Sequence, residues 1–102
     1  MEIQVAQTPE RKVKAAVRKQ LEALGAYYVM PVTGGYGNSG APDFLVCFRG
    51  RFVGIECKAG GNKPTALQER NLHLIQKAGG SAIVLNESNV EYLQSLLENG
   101  EL

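Results

Sequence analysis

The apolar positions of the chain change period several times, and each change marks an element. Val13, Ala16, Val17, Leu21 and Leu24 recur at the three- and four-residue spacing of a helix face. Thr8 can cap that helix, Pro9 suits its first position, Glu10 meets the positive end of the helix dipole and Gly25 ends it. Tyr27 to Val32 is aromatic and β-branched and predicts a strand, with Pro31 marking an edge or a strand end. Thr33 to Ala41 (TGGYGNSGA) predicts a mobile loop. Pro42 to Phe48 and Phe52 to Lys58 are strand-like runs parted by Arg49-Gly50-Arg51, short enough to demand an antiparallel hairpin. Thr65 to Gln68 is a capping box opening a second helix through Leu67, Leu74, Ile75 and Ala78 to Gly79-Gly80. Ser81 to Leu85 predicts a strand buried on both faces. A second capping box, Ser88 to Glu91, opens a last helix through Val90, Leu93, Leu96 and Leu97, ended by Gly100. The order α-β-β-β-α-β-α predicts one α/β domain over residues 1–102, a mixed central sheet flanked by helices.

Three charged residues interrupt this apolar pattern. Glu56 and Lys58 are two apart on one strand and share a face, and Asp43 begins its neighbour. A hairpin loop of two or four residues sets Asp43 directly opposite Glu56, with Cβ atoms about 5 Å apart, where two carboxylates repel unless a cation lies between them. A three-residue loop shifts the pairing by one and sends them to opposite faces. Charged groups on an inward strand face are costly, so the pair is a functional candidate.

Composition narrows the chemistry. The 102 residues suit one core, contain a single histidine (His73) and two cysteines, and have no run near the roughly 20 apolar residues that a membrane span requires. Zinc sites of the usual type lack ligands, and a Ser-His-Asp hydrolase would depend on His73 alone. The polar N-terminus carries no export signal, so a soluble protein with reduced thiols is expected, Cys47 and Cys57 packing as small hydrophobes on opposite faces. Two carboxylates and a main-chain carbonyl form a hard-oxygen site suited to magnesium or manganese. Lys58 beside it can orient or deprotonate a metal-activated water, or stabilise charge on a phosphate, which makes phosphodiester hydrolysis the natural reaction class.

Pro42-Asp43 followed by Glu56-Cys57-Lys58 resembles the PD-(D/E)xK nuclease superfamily, and Gly40 upstream with Gln68 downstream resembles its virus-type replication-repair nuclease (VRR-Nuc) family. The resemblance covers nearly the whole chain and implies a restriction-endonuclease-like αβββαβα core. It implies metal ligation by the Asp43 and Glu56 side chains and the Cys57 carbonyl, with Lys58 as catalytic lysine and Gln68 supporting the site. It also implies a further metal ligand at Glu10, whose spacing to Val13, Val17 and Leu21 puts it on the inward stripe. Glu10 and Gln68 equally suit a helix first turn and a capping box. Cys57 stands where an apolar residue is more usual. Such proteins cut DNA with magnesium or manganese, and small standalone forms resemble phage-borne, structure-selective junction resolvases acting on Holliday junctions or flaps in DNA repair.

The net charge of +1 conceals a split: residues 1–85 hold eleven basic and six acidic residues, +5, whereas residues 86–102 hold four acidic and no basic ones, −4. Arg11, Lys14, Arg18, Arg49, Arg51, Lys63 and Arg70 are candidate DNA contacts, with Tyr36 in the glycine-rich loop available to stack on a base. One active site per chain implies a homodimer for cutting both strands of a junction. The expected setting is the cytoplasm of a bacterial or phage-infected cell. The alternative is a catalytically silent nucleic-acid-binding subunit that keeps the fold, against which Asp43, Glu56 and Lys58 argue.

Overall fold

The computed structural model describes residues 8–32 and 40–102. Its elements are α1 (Pro9–Leu24), β1 (Tyr27–Val29), β2 (Phe44–Phe48), β3 (Arg51–Cys57), α2 (Ala66–Lys77), β4 (Ser81–Leu85) and α3 (Leu93–Glu98), the last preceded by a 3₁₀ turn at Val90–Tyr92. The strands lie in the order β1-β2-β3-β4; the first three are antiparallel in turn and β4 runs parallel to β3. This is the expected mixed sheet with flanking helices.

Each face of the sheet is set by alternation along β2 and β3. Phe44, Val46 and Phe48 with Val53, Ile55 and Cys57 turn to one face, where they form the core with Val13, Val17 and Leu21 of α1, Leu93 and Leu97 of α3 and Leu85 of β4. The other face carries Gly54, whose missing side chain admits α2: a Cβ there would lie 2.5 Å from Ile75 Cδ1. α1 begins and ends as its sequence directs. Thr8 Oγ1 accepts from the Arg11 N–H, and Gly25 closes the helix in the left-handed conformation at φ 69°. Gln20 ties α1 to the last helical segment, donating to the Val90 carbonyl and accepting from the Gln94 N–H.

The hairpin resolves the open register. Arg49 (φ 51°) and Gly50 (φ 78°) form a two-residue turn of the left-handed kind that matches strand twist, and Phe48 faces Arg51 while Phe44 faces Ile55. Continuing that pairing outward by one residue sets Asp43 against Glu56.

Four expectations need correction. β1 stops at Val29 rather than Val32, and it is an edge strand, consistent with the Pro31 that follows. β4 is half-buried except for Leu85, because among the described residues it is the other edge strand. The second capping box does not form: Asn86 Oδ1 takes the Ser88 N–H and hydroxyl, leaving the Val90–Tyr92 turn without a side-chain cap. Cys47 is exposed rather than packed, since α2 lies over β3 and β4 and leaves the β1–β2 side of that face open; Cys57 is buried, and both are free thiols. The central part of the glycine-rich loop, residues 33–39 with Tyr36, lies outside the described residues.

Candidate active site

The site forms where β2 begins and β3 ends. Asp43 is partly exposed and held by both carboxylate oxygens: Oδ2 accepts from the Cys57 main-chain N–H at 2.8 Å, and Oδ1 lies 3.4 Å from Lys14 Nζ of α1. Glu56 is 2% exposed, the only charged side chain in the buried set of the described residues. Its Oε1 accepts from Gln68 Nε2 at 3.4 Å, while its buried Oε2 has no hydrogen-bond partner among the described residues. Burial foremost, and then the opposing Asp43 carboxylate, push the Glu56 carboxyl up to about 8, against the partial relief of Lys58. Burial likewise pushes the Cys57 thiol upward, making it a poor nucleophile, so Cys57 serves the site through its main chain.

Gln68 combines both roles its position allowed. Its backbone N–H and side-chain Oε1 complete the capping box with Thr65, at 3.2 and 2.9 Å, which fixes the side chain so that its amide nitrogen turns to Glu56. Lys58 directly follows β3, its N–H bonded to the Leu85 carbonyl at 2.9 Å; it is half-buried and near enough for its charge to ease the Glu56 carboxylate. Gly40 explains itself sterically. A Cβ there would come within 2.6 Å of the Leu67 carbonyl and of the Leu67 and Asn71 side chains, so only glycine lets the approach to Asp43 lie against α2.

Glu10 stands one step removed. It reaches the pair through Lys14, whose ammonium lies 3.8 Å from Glu10 Oε2, and among the described residues no three His, Cys, Asp or Glu side chains gather as a metal cluster. Lys14 is therefore a member of the site that the sequence reading placed only among DNA contacts. Nothing local could have assigned it otherwise, since its link to Asp43 spans 29 residues.

The other basic candidates divide. Arg11, Lys14 and Arg18 share one face of α1 and line a groove of about 360 Å³ with Lys19, Glu22 and Met30; Arg18 also pairs with Glu22, which accepts the Tyr28 hydroxyl. Lys63 and Arg70 are exposed on the loop before α2 and on α2. Arg49 and Arg51 lie at the far end of the hairpin from Glu56. Arg51 donates to the Leu97 carbonyl at 2.5 Å and to that of Leu102, and Arg49 lies over the Phe48 ring and donates to Glu98.

No family model matches the chain. Among curated proteins it is 33% identical over 82 residues to "Putative nuclease p44" of Acyrthosiphon pisum secondary endosymbiont phage 1, covering 79% of this chain and 82% of that one. Among solved structures it is similar to a VRR_NUC domain at TM-score 0.67 and 30% identity, over 90% of this chain and 97% of the other.

Proposed function

Because the chain belongs to the VRR-Nuc family of nucleases, we propose that Asp43, Glu56 and Lys58 form the active site of a divalent-metal-dependent DNA endonuclease. The observation that carries the assignment is the buried Glu56 carboxyl, one oxygen unpartnered among the described residues, set against a second carboxylate. Two carboxylates so placed need a proton or a cation between them, and the oxygen donor set suits a hard cation such as magnesium or manganese. Asp43, Glu56 and the Cys57 carbonyl would hold the ion, with Glu10 as a further ligand in reserve across Lys14. A divalent ion there supplies charge stabilisation on the phosphate and a water acidic enough to ionise near neutral pH.

The chain's own residues do the rest. The Cys57 N–H and Gln68 amide hold the two carboxylates in place. Lys58, on the face of Glu56, orients the attacking water or meets the charge developing on the scissile phosphate. The α1 groove of Arg11, Lys14 and Arg18 guides the DNA backbone, with Lys63 and Arg70 as outer contacts. Branched DNA such as a Holliday junction or a flap is the preferred substrate, cut by two copies in a homodimer. No helix among the described residues is long and apolar enough to cross a membrane, and the protein acts in the cytoplasm of a bacterial or phage-infected cell.

The test is incubation with labelled branched, flapped and linear DNA in magnesium, manganese or EDTA. Cutting of branched DNA that requires metal supports the reading. Cutting in EDTA overturns the metal role, equal cutting of all three substrates overturns the selectivity, and DNA binding without cutting favours a silent binding subunit.

A further inference from the structure

Lys14 bridges two carboxylates, Asp43 Oδ1 at 3.4 Å and Glu10 Oε2 at 3.8 Å, and both belong to the ligand set assigned above. An ammonium and a divalent cation repel each other and compete for the same oxygens. Asp43 is already fixed through Oδ2 by the Cys57 N–H at 2.8 Å, so the lysine is not needed to hold that side chain in place. The Lys14 side chain is 31% exposed and lines the groove shared with Arg11 and Arg18, so its ammonium can leave Asp43 and stay beside those two cations.

We propose that Lys14 is an exchangeable counter-ion: it neutralises Asp43 and Glu10 until a divalent cation displaces it, and the freed ammonium then takes a DNA phosphate. Metal and DNA therefore bind with positive coupling, each favouring the state the other needs. The inference rests on the proposed metal site, and it adds that one side chain links cation uptake to substrate uptake. Because ion pairs this exposed contribute little, the exchange is cheap, and the coupling it sets is about fivefold.

Two measurements on the full chain, with Lys14→Met and Lys14→Arg, test it. Calorimetric titration of manganese into metal-free protein should show Lys14→Met binding about fivefold tighter than wild type and Lys14→Arg close to wild type. Anisotropy with a labelled, phosphorothioate-protected DNA should show that manganese improves DNA affinity about fivefold more in wild type than in Lys14→Met. Equal or weaker manganese binding by Lys14→Met, or equal gains in DNA affinity, overturns the exchange while leaving the metal site standing. Absence of manganese binding in wild type and variant alike overturns both.

Discussion

Glu56→Gln isolates the cost of the buried carboxylate. Burial, which disfavours the charged form, is the chief cause that pushes the Glu56 carboxyl up to about 8 from its ordinary 4.5. A carboxyl raised in the folded state stabilises the fold fully below its unfolded value, and that contribution is lost as pH rises through the folded value. Each tenfold change in acidity is worth about 1.4 kcal/mol, so the ceiling on the loss between pH 4.5 and 8 is about 5 kcal/mol. Water penetration and local relaxation reduce this, and a loss of about 2–3 kcal/mol is expected. Glu56→Gln keeps the size and the acceptor for Gln68 but cannot ionise. Urea denaturation in EDTA at pH 5, 6.5 and 8 should show wild-type stability falling while the variant stays nearly flat. Magnesium should restore wild type at pH 8 and leave the variant much less affected, since a ligand stabilises only the state that binds it. A wild-type profile flat across this range, or the same fall in Glu56→Gln, would rule out the buried Glu56 carboxyl as the source of the pH dependence.

Other sites give sharper, smaller predictions. Gly40→Ala should lower stability by about 2–3 kcal/mol in urea denaturation, because its Cβ would meet the Leu67 carbonyl, which cannot swing away. Thr65→Ala and Gln68→Ala should each cost about 1 kcal/mol through the lost cap, but only Gln68→Ala should also slow DNA cleavage, by removing the amide at Glu56; equal cleavage by both would assign Gln68 to capping alone. Arg51→Ala should lower stability by about 1–2 kcal/mol through the hydrogen bonds lost to the Leu97 and Leu102 carbonyls and barely change DNA affinity, whereas Arg11→Ala should do the reverse and reduce the salt dependence of DNA binding.

Much of the fold was legible because its determinants are local. Thr8, Gly25 and the Thr65–Gln68 box act within one helical turn, and the α1 stripe of Val13, Val17 and Leu21 is the buried one. The apposition of Asp43 and Glu56 hung on one residue of loop length, which Arg49-Gly50 decides by adopting positive φ at both positions, a conformation that arginine seldom advertises. What stayed hidden was set by neighbours. β4 reads as buried on its own sequence, yet its exposure depends on having no strand beyond it among the described residues. The Ser88 cap lost to Asn86, a competitor two residues away that the capping pattern does not include. Lys14 looks like any surface lysine until the fold brings Asp43 to it.

Asp43, Glu56 and Lys58 are assigned together to the cutting of DNA. Single-turnover cleavage of one labelled branched DNA in magnesium, comparing wild type with Lys58→Ala and Asp43→Asn at matched folding and DNA binding, tests it most directly. Each variant should lose at least a hundredfold in cleavage rate, with DNA still bound. Cleavage at the wild-type rate by either variant would contradict it.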